Sequence, residues 1–449
     1  MCSCTSDIDL EGGMLDEPWK SKVTGVVQPE VAPWRADVTR PPSLADSVLR
    51  LIWDERAISR ADIARRTGLS RSTVSEVVTE LLATRLVDEA GEGASSGGRR
   101  PIVLEFQDDA CVILGVDMGA THVSVALTDL RGRVLAWENR PFPVRSDPEG
   151  TRALIAEFCA VCLRSWGGDP ARLVGIGIAV PCPVDPRHQD RFSTHVLPAW
   201  KGRAGFEALG ARFGAPIFID NDANLGAVAE RWWGAGRGFD DFTYIKVATG
   251  VGAGHMVGGR IARGASGVAG EIGHMAIDLS GDPCDCGNRG CLQTFVGSSS
   301  LVKRARQLLP EYPTSVLHQG ALTIDAIENA ALADDPLAIH VISTAAEYLG
   351  IAVAGVLNLM NPGAVIIGGG VAQSGDLLTT SIRQAVGERS LRASGRGVHI
   401  TTAMLGRRSS LMGATVQAVN IAIHDAIEKK NPVSRNSFPS EIKQASTSE

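Results

Sequence analysis

No stretch of this 449-residue chain is apolar for the roughly 20 consecutive residues that a membrane-spanning helix needs. The most apolar part, residues 349–372, is broken by Asn358, Asn361, Pro362 and several glycines. It predicts a buried helix, a turn and a strand. The N-terminus also lacks the basic start and apolar core of a secretory signal, so the expectation is a cytoplasmic protein with no membrane partner. Cysteine is scarce and odd in number: of nine, only three lie close together. That argues against a disulfide framework and for reduced thiols with one metal site. Surplus basic charge is missing too, since 44 Lys and Arg face 50 Asp and Glu. A strongly basic protein is excluded, and any DNA-reading part must be a local module.

What is present is ordinary globular material, 44% hydrophobic and 21% charged, enough for several domains. Residues 1–42 mix acids, Pro and Gly without apolar periodicity and predict a flexible leader. It carries Cys2 and Cys4, a pair more simply read as loose thiols than as metal ligands. The polar, Ser-rich residues 429–449 predict a disordered tail.

Residues 43–105 form a unit of three helices followed by two strands and a wing. Leu44, Val48, Leu51 and Ile52 recur at helical spacing. Ser59 is placed to cap a second helix and Ser70 a third, with Gly68 and Leu69 turning between them. Leu86 and Val87 start a strand, a Gly/Ser loop spans residues 91–100, and Ile102 to Leu104 return. This is the layout of a winged helix-turn-helix. Its third helix opens Ser70, Arg71, Ser72, Thr73, Val74, Ser75, short polar side chains and one Arg suited to base edges and phosphates in a major groove. The wing ends in Arg99 and Arg100, placed for a narrow, negative minor groove. Arg60, Arg65, Arg66 and Arg71 oppose only Asp62 between residues 59 and 75, although over residues 44–105 nine Arg face ten Asp and Glu. DNA is the expected partner. A protein-binding module of the same shape is the alternative.

From Cys111 onward, Gly-punctuated strands alternate with helices, the signature of an α/β architecture. The strand–Gly turn–strand pattern around Asp117, Gly119 and Thr121 returns about 130 residues later around Thr249, Gly250 and Gly252. A hairpin repeated at the start of each half predicts two related lobes around a cleft, residues 111–230 and 231–428. The Gly turns could each offer backbone N–H groups to phosphates, and Gly368, Gly369 and Gly370 could admit a nucleotide or simply bend the chain. Asp222, at a strand end and helix start, could cap that helix or accept a proton from a hydroxyl attacking a phosphoryl group. Glu271 and His274, three apart, could face one polyhydroxylated ligand. His274, Cys284, Cys286 and Cys291 fall within 18 positions and match the ligand set of a closed, structural Zn²⁺ site.

The combination resembles the ROK family (repressor, open reading frame, kinase) over roughly residues 43–425. Its most specific portion is residues 267–291, where Glu271-x-Gly273-His274 precedes the cysteine cluster. The resemblance implies an actin-like, two-lobed, hexokinase-type fold in which a last helix, about residues 409–427, returns to the first lobe. It also implies that Asn221, Asp222, Glu271, His274 and Gln293 meet sugar hydroxyls, with Asp222 in the catalytic-base position and His274 serving metal and sugar. Members with an added winged helix are typically sugar-sensing repressors; members without it are ATP-dependent sugar kinases. This chain has the added head, so a sugar-responsive DNA-binding repressor is expected, acting as a homodimer or a dimer of dimers. Closure of the lobes would shift the linker at residues 105–112 and respace the heads. A sugar kinase bearing a DNA-binding head, using ATP and Mg²⁺, is the alternative. Against it, Ala120 and His122 stand where the kinases have Gly and Lys, and Gln293 where they have Glu.

Overall fold

The computed structural model describes residues 43–92 and 100–428. Cys2, Cys4 and Arg99 lie outside them, with the rest of the expected leader, wing and tail.

The head begins with α1 (Leu44–Glu55), followed by β1 (Ala57–Ser59), α2 (Arg60–Thr67), α3 (Arg71–Thr84), β2 (Val87–Glu92) and β3 (Ile102–Phe106). Each helix starts at a serine. Ser43 and Asp46 form a reciprocal capping box, Ser59 accepts from the Asp62 N–H, and Ser70 from the Thr73 N–H. Gly68 ends α2 at φ 71°, its N–H on Ala64, the left-handed stop that Gly supplies without a Cβ clash. Strand β1 went unforeseen, because three residues are too few for a pattern; it pairs with β3 in a sheet ordered β1-β3-β2.

The first lobe contains β4 (Val112–Met118), β5 (His122–Asp129), β6 (Val134–Pro141), α4 (Pro148–Trp166), β7 (Leu173–Val180), α5 (Glu207–Phe213), β8 (Ile217–Asn221) and α6 (Asp222–Trp233). The second contains β9 (Phe242–Val247), β10 (Val251–Val257), β11 (Arg260–Ile261), α7 (Gln293–Val296), α8 (Ser298–Leu308), α9 (Ile324–Leu332), α10 (Pro336–Met360), β12 (Ala364–Gly369), α11 (Gly375–Arg389), α12 (Arg392–Gly395) and β13 (His399–Thr402). The sheets run β6-β5-β4-β7-β8 and β11-β10-β9-β12-β13. Each opens with antiparallel hairpins and continues with parallel strands, so the repeated hairpin reflects one topology used twice. By length and composition α10 could cross a membrane, yet its Val341, Ala345, Leu349 and Val353 are buried in the second-lobe core.

The last helix, α13 (Ser409–Glu428), packs across α6, β4 and β7. Glycine permits the close approach: a Cβ on Gly177 would lie 1.9 Å from the Ala414 carbonyl oxygen, and one on Gly413 1.8 Å from that of Leu225. The far end of α13 enters the head. Val419 and Ile423 share one buried cluster with Val48, Ile52 and Leu104. Beside it, Trp53 packs edge-on against Phe106 at 4.5 Å and Trp232 at 6.2 Å between ring centres. The Arg131 guanidinium lies 4.5 Å from the Trp53 ring centre. Head and lobes are therefore joined through apolar core as well as through the chain at residues 105–112.

Candidate functional site

The cleft is built where β8 runs into α6. Asn221 caps that helix, its Oδ1 accepting from Ala223 and Asn224 N–H (2.9 and 3.2 Å) while its Nδ2 donates to the Cys182 carbonyl (3.2 Å). Asn221 thus fixes the turn that presents Asp222. The Lys246 ammonium, from β9 in the other lobe, donates to Asp222 Oδ2 at 2.8 Å and to Ser410 Oγ at 2.9 Å. Ser410, on α13, donates to the Asp222 carbonyl at 2.9 Å. Burial alone would pull the Lys246 ammonium down, but the Asp222 and Asp117 carboxylates outweigh it and hold it above the ordinary lysine range. Burial would likewise raise Asp117, and Lys246 with His122 reverses that. Lys246 escaped the motif reading. Its signal was a single charged residue inside the otherwise uncharged strand Phe242–Val247. A second pair crosses the lobes nearby, Arg263 to Asp220 at 2.5 Å, both largely buried.

Glu271 and His274 meet as expected. A single 3-10 turn, Ile272–His274, sets Glu271 Oε2 3.8 Å from His274 Nε2. Burial, with Asp222 nearby, pushes the Glu271 carboxyl up to about 7. The other imidazole nitrogen, Nδ1, faces Cys284 Sγ at 3.6 Å, and Cys286 and Cys291 Sγ are 3.7 Å apart. The four ligand atoms lie within 4.8 Å of one another. Four ligands about 2.3 Å from a tetrahedral centre would be ~3.8 Å apart, so this cluster could hold a metal ion. Burial also lowers the His274 pKa, favouring the neutral imidazole that ligates. Gln293 Nε2 donates to Cys284 Sγ at 3.3 Å, which makes it a support of the thiolate cluster at the rim of the cleft.

The glycine turns divide into two kinds. The hairpin is open at Gly250, where a Cβ would meet nothing within 4 Å, whereas one on Gly252 would touch the Ala223 Cβ at 3.4 Å. At the other turns the protein itself fills the space. A Cβ on Gly119 would strike the His122 ring at 2.2 Å, and His122 Nε2 lies 3.4 Å from Asp117 Oδ2. Thr121 is exposed beside it. A Cβ on Gly368 would meet the Tyr244 hydroxyl at 2.2 Å, and on Gly369, at φ 87°, the Val247 carbonyl at 2.1 Å. At both positions a side chain would collide with the second-lobe sheet itself. Gly370 sits under Glu328, which Arg407 holds at 2.7 Å.

On the head, Ser70, Arg71, Ser72 and Ser75 are exposed and Thr73 half-exposed. Ser70 Oγ lies 2.8 Å from both the Ser72 and Thr73 hydroxyls, an ordered polar edge at the start of α3. The local basic surplus is smaller than composition suggests. Arg60 pairs with Glu89, Arg65 with Asp62, and Arg66 with Glu55. Arg71 has no ion pair among the described residues and stands at the helix start. Arg100 is exposed where the chain returns to β3.

Residues 113–420 match the family model described as ROK family, and residues 47–87 match winged helix-turn-helix DNA-binding. The xylose repressor of Bacillus subtilis (strain 168) is 32% identical over 366 residues, 82% of this chain and 92% of that protein. A solved ROK family transcriptional regulator, described as a homolog of the E. coli MLC protein, superposes with TM-score 0.73 at 28% identity, covering 85% of this chain and 97% of that one. A ROK family glucokinase from Streptomyces griseus, solved with glucose and AMPPNP, gives TM-score 0.58 at 30% identity over 68% of this chain and 98% of its own. The chain therefore belongs to the ROK family and carries a winged helix-turn-helix DNA-binding module ahead of the two-lobed ROK domain.

Proposed function

We propose that this protein is a cytoplasmic transcriptional repressor that binds operator DNA through α3 and the wing and responds to a sugar held between its lobes. The observation that carries the reading is the winged helix-turn-helix match over residues 47–87 ahead of the ROK match over residues 113–420, in a chain of which the regulator covers 85% and the kinase 68%. Ser70, Arg71, Ser72, Thr73 and Ser75 face the major groove, with Arg99 and Arg100 on the backbone or minor groove. The chain acts as a homodimer or a dimer of dimers, so that two heads reach half-sites about one helical turn apart, ~34 Å.

In the cleft, Asp222, Glu271 and His274 Nε2 hydrogen-bond sugar hydroxyls, Asn221 fixes the helix start beneath them, and Gln293 steadies the cysteine cluster. Zn²⁺ on His274, Cys284, Cys286 and Cys291 supplies a structural tie that holds His274 toward the cleft. The sugar bridges groups from both lobes, and α13 carries the change to the head, since Ser410 touches the cleft and Ile423 lies in the head core. Full switching from 1:99 to 99:1 requires the sugar to favour one state by about 5.5 kcal/mol; weaker preference gives partial switching.

Selection of sheared genomic DNA on the intact protein, followed by elution with a panel of sugars, tests this directly. A few discrete sites released by one sugar support it. No enrichment above a chain lacking residues 1–105 sinks it. The turn left open at Gly250 favours the rival, a sugar kinase using ATP and Mg²⁺, which sugar-dependent ADP formation lost in Asp222→Asn would establish. A protein-docking role for the head predicts that replacing Arg71, Arg99 and Arg100 leaves no DNA defect.

A further inference from the structure

The chain passes between the lobes twice, at residues 234–241 from α6 to β9 and at residues 403–408 from β13 to α13. Both crossings meet one side chain. Glu230, near the end of α6, is fully buried, and among the described residues no cation pairs with it. Its Oε2 accepts from the Ala235 N–H of the first crossing at 2.8 Å and from the Met404 N–H of the second at 3.1 Å. Its Oε1 accepts from the Leu405 N–H at 3.0 Å and from Ser409 Oγ, at the start of α13, at 2.9 Å. Four donors replace the water that burial removed, and so keep a carboxylate inside without a counter-charge. Gly234 leaves room for it, since a Cβ there would lie 1.9 Å from Oε2. Neighbours in the second crossing face opposite lobes. Arg407 pairs with Glu328 of α9 at 2.7 Å, and the Arg408 guanidinium lies 5.7 Å from the Trp137 ring centre on β6.

A carboxylate that held one segment would be a helix cap. One oxygen shared by both crossings is a different arrangement, because rotation of one lobe on the other must bend both segments at once. Such rotation is absorbed by a few residues at element ends. We propose that Glu230 is the hinge pin of the cleft, a positioning residue that makes the two crossings bend as one unit and passes lobe rotation to α13. Helix α6 carries Asp222 at its start and Glu230 near its end. Helix α13 begins on Glu230 and reaches the head core with Val419 and Ile423. Cleft, hinge and head thus meet at one buried carboxylate. The bearing of the pin on sugar response rests on the proposed function, whereas the pin itself is read without sugar or DNA.

The test is hydrogen exchange of the full chain, resolved to single amides by mass spectrometry and followed at increasing urea. In wild type the Ala235, Met404 and Leu405 amides should open together, with protection equal within ~3-fold and one shared urea dependence. In Glu230→Met, which offers no acceptor, all three should exchange at least ~10-fold faster. Amides of α13 and of α1 in the head should follow by ~3-fold or more, while those of β4 and β12 keep wild-type protection. Glu230→Gln, which keeps one acceptor oxygen, should fall between. Wild-type protein in which Ala235 opens independently of Met404 and Leu405 overturns the proposal. So does a Glu230→Met protein that loosens residues 403–409 but leaves Ala235 unchanged, the pattern of a plain helix cap, or one in which α1 is unaffected. If Glu230→Met does not fold, or exchanges faster throughout both sheets, the wild-type comparison decides alone.

Discussion

Replacing Arg131 with Ala should loosen the DNA-binding head from the lobes without touching either cleft or recognition helix. Arg131 lies in the turn between β5 and β6 and stacks on Trp53 of α1 at 4.5 Å. It donates to the Trp53 carbonyl at 3.1 Å and pairs with Asp108 at 2.5 Å. The stack is worth about 1 kcal/mol, the charged hydrogen bond about 1.5, and the half-exposed ion pair less than about 1. These share Trp53 and do not add in full, so the loss is about 2–3 kcal/mol. For a head of about 60 residues, each kcal/mol moves the midpoint by roughly 4–8 °C, and the head should melt ~10 °C or more below its wild-type temperature. Differential scanning calorimetry of the full chain reads this directly. Wild type should give one main transition, because Val419 and Ile423 lie in the head's core. Arg131→Ala should show a separate, earlier one. Arg131→Lys keeps the charge beside Asp108 but loses the planar stack and fork, so it should fall between. A single transition within about 2 °C of wild type in Arg131→Ala would refute the claim that this contact welds head to lobe. In the sugar response, the same variant should bind operator but respond less, since α13 no longer moves a firmly attached head.

Three further outcomes follow from other parts of the molecule. Cys284→Ser should release bound Zn²⁺, measured by atomic absorption, and lower the melting temperature, because three remaining ligands no longer close a tetrahedral site; unchanged metal content would remove the zinc assignment. Gly413→Ala places a Cβ on the α6 backbone at 1.8 Å and should destabilise by about 1–3 kcal/mol or more, read by urea denaturation, whereas Gly387→Ala, with nothing within 4 Å, should not destabilise. Glu328 is pushed up to about 7 by burial, with Arg407 opposing only in part. Folded protein then holds a proton that unfolded protein releases between about pH 4.5 and 7, so stability from this group falls as pH rises through that window, by on the order of 3 kcal/mol. Glu328→Gln should flatten that part of the stability–pH curve, and an unchanged slope would count against the burial argument.

Much of the site was legible because its chemistry is local in sequence. Glu271 and His274 sit one turn apart, and the cysteine ligands lie within a short, Gly-rich loop, so spacing alone brings them together. Lys246 was not legible in that way. Its partners Asp222 and Ser410 come from another lobe and from a helix 164 residues further on, and nothing in a strand's alternation says which charged group will face it. Gln293 turns its amide to Cys284, a contact that its spacing in the sequence did not announce. The glycines show the same division. Gly250 reads as a turn and has open space where a side chain would stand, while a Cβ on Gly368 or Gly369 would meet Tyr244 or Val247 across the sheet.

By itself the sequence determined the elements, the caps, the repeated hairpin and the ligand set of the metal cluster. Each is fixed by interactions among residues a few positions apart, such as Ser70 on the Thr73 N–H or Cys286 beside Cys291. Only the tertiary structure decided how the parts speak to one another. It bonded the Lys246 ammonium to Asp222 and Ser410, laid α13 on glycines of both β7 and its own surface, and ran the far end of that helix into the head. Those pairings depend on burial and on close approach between segments far apart in the chain. Burial strengthens an ion pair and forbids an unmatched charge only once the fold has excluded water, and no local pattern carries that information.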